Sequence, residues 1–282
     1  MTASSPRRAF ALVASTLGLV YVATLAPGVT LWDAGEFASA VESLGIPHPP
    51  GTPLFVMLAR AWRLGLAFLP TALATNLLAA ACTALAGGIA ASLVARWTRD
   101  TLAAVAAGIA FGGMSSVWLN ATETEVYSTS LLLALVMTWV AARAGSRDAK
   151  GQERERGIAD REQTPSTGTR PIRRVSWNDT RVRFPVPGSR FPARRLGRSD
   201  LLLIYLFAIA PPLHLSAMVA APAAIALATT DRELALDVRR ATLLLGVSLL
   251  AVGAGTGSTG VTAAALAVLV AWTLWCRDRW RG

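Results

Sequence analysis

Residues 72–95 read ALATNLLAAACTALAGGIAASLVA, an apolar run of 24 residues without a charged side chain. A transmembrane helix needs about 17–25 apolar residues at a rise of about 1.5 Å each, so this stretch can cross a bilayer alone. Similar apolar runs recur along the chain, at residues 9–26, 102–119, 126–142, 201–229, 241–255 and 261–275. The sequence therefore predicts an all-α polytopic membrane protein.

The charged residues are concentrated in one segment of the chain. The 282 residues carry a net charge of +10, and residues 145–199 hold 14 basic and 6 acidic side chains. A charged tract of this kind, rich in Pro, Gly, Ser and Thr, usually stays disordered. We therefore predict an N-terminal membrane module at 1–144, a disordered cytoplasmic linker at 145–199, and C-terminal membrane helices at 200–282. The linker has no aromatic stacking pattern or fold motif, which argues against a nucleic-acid partner.

The distribution of basic residues orients the predicted helices. The positive-inside rule places the N-terminus, with Arg7 and Arg8, in the cytoplasm and residues 27–71 outside. This arrangement leaves 25 of the 27 basic residues inside. Only one of the 27 is a lysine, a bias associated with GC-rich bacterial genomes. We therefore expect a multi-pass protein of the bacterial cytoplasmic membrane with its first loop on the outer face.

The run 201–229 is too long for one span and too short for two ordinary ones. Pro211 and Pro212 interrupt it, and proline disrupts helical hydrogen bonding. We interpret the run as two short helices that meet near His214. This interpretation predicts about eight transmembrane helices, and a single span there would give seven.

Ionisable residues are clustered in the predicted outer loop, residues 27–71. Asp33 and Glu36 are three apart on a short helix predicted at 33–44, so they share one face. His48 follows in a proline-rich turn that cannot be helical. Carboxylates so placed suit general-base chemistry, and they equally suit capping of the helix N-terminus.

The apolar segment 53–69 carries Arg60 and Arg63. Two arginines in mid-run favour a helix lying along the membrane surface over one that spans it. Their guanidinium groups suit bidentate binding of a phosphate. Arginines that extend their charged ends to the membrane surface are the equally acceptable alternative.

Two segments of this loop together resemble a family signature. They read WDAGEF at 32–37 and HPPGTPLF at 48–55, and Arg60 follows. The combination resembles the opening of domain-of-unknown-function family 2723, which includes the transmembrane-protein-260-type protein O-mannosyltransferases of the GT-C superfamily. The resemblance is best over the first 145 or so residues. Weaker points of likeness lie at Asn76-Leu77-Leu78, at Glu125-Val126-Tyr127, and at His214 followed by Pro222.

The resemblance implies a GT-C-like fold and a membrane glycosyltransferase. Such an enzyme would transfer a sugar, mannose in the named relatives, from a polyprenyl-phosphate donor to an acceptor hydroxyl on the outer face, such as a protein Ser or Thr. Asp33 is implied as the catalytic carboxylate and Glu36 as its support or as an acceptor ligand. The implied donor-phosphate ligands are His48, Arg60 and His214, and the implied acceptor-side residues are Glu125 and Tyr127.

The expected partners are membrane lipid, the polyprenyl-phosphate sugar and an acceptor protein or glycan, with a partner subunit as a further expectation. No cofactor is expected besides the lipid-linked substrate, and no metal site is predicted, because one carboxylate pair is weak support for a bound cation. Cys82 and Cys276 lie in apolar runs and suit small packing residues.

Other interpretations stay open at this point. The same charges could line the path of a transporter or flippase for a lipid or small anion, although the apolar runs hold almost no charge and show no internal repeat. The chain could also be a truncated, non-catalytic member of the family. Tyr127 also suits an aromatic belt at the membrane interface, and His214 suits the carbonyl groups freed at a helix break.

Overall fold

A computed structural model describes residues 5–49, 51–162, 196–230 and 235–277, and the side chains among them except those of 147–162 and 277. Within these residues the regular structure is helical, apart from one isolated bridge between Thr230 and Leu236. The α-helices are α1 (Pro6–Ala23), α2 (Ala34–Ser43), α3 (Pro53–Gly65), α4 (Thr71–Thr98), α5 (Thr101–Gly112), α6 (Ser115–Thr122), α7 (Val126–Glu162), α8 (Arg198–Leu213), α9 (Ala221–Thr229), α10 (Val238–Thr256) and α11 (Thr259–Arg277). A 3₁₀-helix, Leu215–Ala220, precedes α9. The predicted all-α fold is confirmed.

Helix α4 lies at the centre of one of two packed cores, against α1 and α5. Glycines make this close approach possible, because a Cβ on Gly87 or Gly112 would lie 2.5 Å from the side chain of Leu17. Close contact through small residues is the usual way in which helices associate in membranes. The hydroxyl of Tyr21 on α1 donates a hydrogen bond of 2.8 Å to the carbonyl oxygen of Gly112. These contacts place the ends of α1, α4 and α5 in a fixed relation.

The second core joins α7 to the C-terminal helices and to α2 and α3. Met137 and Phe207 are fully buried in it. A buried ion pair of 2.5 Å between Asp200 and Arg240 ties the start of α8 to the start of α10. Both cores therefore meet the loop region 27–71, because α2 and α3 pack on α4 and α3 also packs on α8.

The predicted helix break at His214 is present. Pro211 and Pro212 occupy the last turn of α8, His214 follows in extended conformation, and the 3₁₀-helix begins at the next residue. A proline ring removes a backbone donor and clashes with the preceding turn, so the two halves of the run form separate short helices.

The predicted number of spans is too high. Of the described helices, four are long and apolar enough to cross a membrane, and a fifth span exists if α5 and α6, bent by 67°, count as one. The run 201–229 gives pieces of only 16 and 15 residues, which fall short of the about 17–25 that a span needs. Helix α1 has 18 residues, but its first turn holds Arg7 and Arg8.

The loop region 27–71 has the two short helices that the sequence predicts, α2 and α3. Helix α7 continues to Glu162, so the backbone of 145–162 is helical where the sequence predicts a disordered linker. The prediction for 163–195 lies outside the described residues. The division into an N-terminal module, a linker and C-terminal helices stays a prediction.

Candidate functional site

A carboxylate–imidazole cluster lies where α2 meets the turn that follows it. Glu36 accepts two hydrogen bonds from His48, of 2.6 Å from the backbone N–H and 2.8 Å from Nδ1. The other ring nitrogen of His48, Nε2, lies 3.9 Å from Oδ2 of Asp33. All three side chains are about half exposed. The fold therefore brings together Asp33, Glu36 and His48.

The cluster rests on a buried aromatic pair. Phe37 on α2 and Phe55 on α3 pack edge to face at 5.5 Å between ring centroids, and the His48 ring lies 5.6 Å from Phe37. Gly51 closes the turn with φ +82°, a left-handed conformation that favours glycine, and its N–H donates to the carbonyl oxygen of His48. The relative positions of the signature residues in the fold are thus set by the packing beneath them.

Asp33 occupies the N-cap position of α2, but its side chain caps no backbone N–H. Aspartate at this position usually accepts a hydrogen bond from the second or third helical residue. The carboxylate is therefore available to a ligand. Trp32 precedes it with a φ of 65° and a side chain 89% exposed, an unusual backbone conformation for a bulky residue.

Arg60 and Arg63 lie in a second cluster, around Glu42. Oε2 of Glu42 lies 3.0 Å from Nη1 of Arg60 and 3.5 Å from Nε of Arg63. It also accepts a 2.7 Å hydrogen bond from the Thr71 hydroxyl, which in turn accepts one from Arg63. Among the described residues, Arg60 makes no ion pair with Asp33 or Glu36. The predicted donor-phosphate role of Arg60 thus rests on a guanidinium that already binds a carboxylate.

Glu125 lies just before α7 and is buried. Burial, together with the negative charges of Asp33 and Glu123, raises the pKa of Glu125 to about 7. The charge of His48 acts on it in the opposite direction. Glu125 therefore belongs to the electrostatic environment of the Asp33 cluster, although it lies 92 residues further along the chain.

A buried polar network fixes the loop that carries Glu125. The Asn76 amide donates to the carbonyl oxygens of Ala26 and Gly28, at 2.9 and 3.0 Å, and accepts a 2.6 Å bond from the Thr124 hydroxyl. The Thr75 and Thr124 hydroxyl groups lie 2.6 Å apart. The network joins α4 to both chain segments that lead into the site. In the sequence, Asn76 belongs only to a weak point of likeness, because a single amide gives no pattern from which its buried partners can be predicted.

Folding brings Tyr127 and His214 together across 87 residues of sequence. Their rings pack edge to face at 5.1 Å, and Nδ1 of His214 lies 2.7 Å from the Ser216 hydroxyl. Tyr127 and Ser216 also line a cavity of about 450 Å³ between α6, α7 and the 3₁₀-helix. Much of its polar lining is hydroxyl or amide, from Ser116, Asn120, Ser128 and Ser130.

The hydrogen bonds of the cluster shift two pKa values in opposite directions. The bonds from His48 lower the pKa of Glu36, and the same pairing with Glu36 raises the pKa of His48. Glu36 is therefore held as a carboxylate, and His48 carries positive charge at higher pH than a free imidazole.

The cluster also contains a possible set of cation ligands. One donor atom from each of Asp33, Glu36 and His48 lies within 4.8 Å of the others. Carboxylate and imidazole groups suit several divalent ions. However, Nδ1 of His48 and Oε2 of Glu36 are hydrogen-bonded to each other, so a cation using these atoms has to displace a proton. The expectation of no metal requirement stays a prediction.

Together the fold and this cluster define a multi-helical membrane protein with an exposed carboxylate–imidazole site at one end of its helices. Residues 33–160 match the sequence family described as the protein O-mannosyl-transferase TMEM260 N-terminal domain. The predicted resemblance is confirmed, and over this region the chain is similar to that family. The match starts at Asp33 and includes Glu36, His48 and Glu125, while His214 lies beyond it.

A mouse (Mus musculus) protein described as protein O-mannosyl-transferase TMEM260 is 31% identical over 156 residues. The aligned part covers 52% of this chain and 22% of the mouse protein. The chain thus spans about a fifth of the length of that relative. No solved structure matches the chain.

Proposed function

We propose that the chain is a membrane glycosyltransferase that transfers mannose from a polyprenyl-phosphate donor to an acceptor hydroxyl, such as a protein Ser or Thr. The similarity to a TMEM260 O-mannosyltransferase supports the reaction class. The observation that carries the proposal is the position of Asp33, at a helix N-cap without a capping bond and beside His48. An exposed carboxylate that is not used to cap its helix can accept a proton from a bound hydroxyl group.

The proposed reaction is a displacement at the anomeric carbon of the sugar. The acceptor hydroxyl gives its proton to the carboxylate of Asp33 as its oxygen attacks that carbon. The new C–O bond forms as the bond between the anomeric carbon and the donor phosphate oxygen breaks. Polyprenyl phosphate leaves with the bonding electron pair, and the mannosylated acceptor remains.

The departing phosphate needs positive charge near Asp33, and His48 supplies the nearest one. Its pairing with Glu36 raises its pKa, so the imidazolium can donate to a phosphate oxygen through Nε2. Arg60 is the second candidate, with its remaining N–H groups, because Glu42 occupies one side of its guanidinium. Arginine suits phosphate through paired hydrogen bonds.

The cavity beside Tyr127 and His214 is the proposed place for the sugar or the acceptor. Its volume of about 450 Å³ lies within the range of small-molecule sites, about 300–1,000 Å³. Its hydroxyl and amide groups can exchange hydrogen bonds with sugar hydroxyls. Glu125, on the acceptor side of the proposed reaction, is partly protonated near neutral pH and can donate as well as accept.

The test is sugar transfer by the purified full chain with a radiolabelled polyprenyl-phosphate mannose and a Ser/Thr-rich peptide. Asp33→Asn preserves the shape of the side chain and removes the base. We expect the rate to fall by about 10²–10⁴-fold, the usual contribution of general-base catalysis.

Asp100→Asn is the matched control, because it makes the same chemical change at the cap of α5. It should transfer sugar at the wild-type rate. Wild-type protein that is folded but transfers no sugar from the lipid-linked donor would contradict the proposed function. An Asp33→Asn variant as active as Asp100→Asn would contradict the role of Asp33.

A further inference from the structure

The cavity beside Tyr127 extends along α4 and α7 into the helical bundle. Its wall includes Tyr127 near the start of α7 and Ala134 seven residues later, which is about 10 Å along the helix at about 1.5 Å per residue. On α4 the wall includes Thr83, eight residues beyond Thr75, whose hydroxyl meets that of Thr124 just before α7. Eight residues correspond to about 12 Å. The rim of the cavity is therefore at the level of Tyr127, and Thr83 lies towards its inner end.

The Thr83 hydroxyl is a buried polar group without a hydrogen-bond partner. Thr83 is 1% exposed, and its Oγ1 atom makes no hydrogen bond among the described residues. The other threonine and serine hydroxyl groups of α4 all have partners, which for Thr75, Ser92 and Thr98 are carbonyl oxygens of the preceding turn. That bond is the usual one for a hydroxyl group in a helix. Because an unsatisfied buried hydroxyl is unfavourable, a partner bound in the cavity would stabilise Thr83.

The other polar groups of the cavity wall are uncharged. Ser116 and Asn120 on α6 add a hydroxyl and an amide, and Tyr127 adds a phenol. Apolar side chains, among them Leu131 and Val219, lie between them, and the described lining holds no acidic or basic side chain. A charged ligand would lose its hydration there without gaining an ionic partner. The wall therefore suits a neutral ligand that has both hydroxyl groups and apolar faces, as a sugar has.

We propose that this cavity takes the sugar of the lipid-linked donor, an uncharged hexose, and that Thr83 binds one of its hydroxyl groups. The inference rests on the proposed function, which left the cavity to either the sugar or the acceptor. An extended peptide is commonly bound through a row of backbone groups, and the backbone groups of helical walls are already bonded within the helices. Thr83 then favours a sugar that carries a hydroxyl group where Thr83 meets it over a sugar that lacks this group.

The experiment measures binding by the purified full chain in detergent, with polyprenyl-phosphate mannose as the probe. A ligand that binds the folded protein raises its thermal midpoint, so a titration gives the affinity. Four further probes carry mannose without the hydroxyl group at C2, C3, C4 or C6. The wild type should bind one of these four about tenfold more weakly than the mannose probe, a loss of about 1.4 kcal/mol, as expected for one hydrogen bond.

Thr83→Val keeps the shape of the side chain and removes the hydroxyl group. It should bind the mannose probe about tenfold more weakly than the wild type does. It should also bind the mannose probe and the distinguishing deoxy probe equally, because the two changes remove the same contact. Thr83→Ser restores the hydroxyl group and should restore the preference of the wild type.

Thr129→Val is the matched control. Thr129 is buried on α7, its hydroxyl bonds to the carbonyl oxygen of Val126, and it lies outside the cavity lining. This variant should rank the five probes as the wild type does. Without a ligand, the midpoint of Thr83→Val should be no lower than that of the wild type, because the lost hydroxyl has no partner, so a weaker affinity would not reflect poor folding.

Three results would overturn the inference. They are a Thr83→Val protein that ranks the five probes as the wild type does, a polyprenyl-phosphate mannuronate that binds the wild type as tightly as the mannose probe, and a wild type whose midpoint the mannose probe does not raise. Failure of the proposed function is a different result, a wild type that binds the mannose probe and transfers no sugar from it.

Discussion

Glu36 and Asp33 have different roles in the cluster, although their spacing in the sequence does not distinguish them. Glu36 holds both the backbone and the ring of His48, so its carboxylate is a structural group that positions an imidazole. Asp33, three residues earlier, makes no such bond and stays open to a ligand. The two acids look equivalent in sequence, and only their partners separate a supporting role from a chemical one.

The raised pKa of Glu125 predicts a dependence of stability on pH. Between pH 4.5 and about 7 the folded chain keeps a proton on Glu125 that the unfolded chain has released. The free energy of unfolding should therefore fall as the pH rises through this window, by an amount of the order of 2 kcal/mol. Glu125→Gln is neutral at every pH, so it should equal the wild type near pH 5 and exceed it near pH 8.

Thermal unfolding midpoints of the two full-length proteins in detergent measure this difference. The raised pKa of His48 also makes the stability fall as the pH rises, above its ordinary pKa of 6.5. The difference between wild type and variant isolates Glu125 from that background. Parallel pH profiles of the two midpoints would show that folding does not raise the pKa of Glu125.

At the scale of elements, α4 connects the two halves of the site. Its first turns hold Thr71, which bonds to Glu42 of α2, and Asn76, which bonds to residues 26–28 and to Thr124. These hydrogen bonds thus connect the segments that carry Asp33 and Glu125 to one helix, α4. Their relative position depends on buried hydrogen bonds more than on the loops themselves.

Asn76 is the residue through which this connection can be tested. Asn76→Ala removes the amide donor to two carbonyl groups and one partner of the Thr124 hydroxyl, and a buried polar group left unsatisfied costs about 1–3 kcal/mol. We expect a clear fall in the thermal midpoint and a loss of sugar transfer. Thr83→Val is the control for the midpoint on the same helix, because the buried Thr83 hydroxyl has no partner among the described residues. Equal midpoints for both variants would mean that the network contributes nothing.

At the scale of the whole molecule, the sequence predicts helices better than it predicts contacts. The apolar runs locate the four candidate spans and the bent pair, because length and hydropathy are local properties. These runs predict too many spans at 201–229, where the break at His214 leaves two helical pieces that are too short to cross a membrane. The pairing of Arg60 with Glu42 and of Tyr127 with His214 joins residues far apart in sequence. Such contacts depend on how helices pack, which composition does not reveal.

The orientation in the membrane is a prediction of the positive-inside rule that accessibility can test. Ile46 is 90% exposed beside the cluster, and Trp97 is 59% exposed at the far end of α4. In a background without Cys276, Ile46→Cys should react with an impermeant maleimide in intact cells. Trp97→Cys should react only after permeabilisation. The reverse pattern would place the Asp33 cluster in the cytoplasm.

The bend between α5 and α6 has a consequence for the lipids beside it. Helix α5 has 12 residues, about 18 Å, and the eight residues of α6 turn away by 67°, adding about 5 Å along the same axis. This is several Å short of a hydrocarbon layer of about 30 Å, while the 28-residue α4 can adapt by tilting. The mismatch should thin the bilayer on one flank of the protein. The unfolding midpoint should then be higher in vesicles of 14-carbon phosphatidylcholine than in vesicles of 18-carbon phosphatidylcholine. Equal midpoints would mean that other parts of the protein separate α5 and α6 from the lipid.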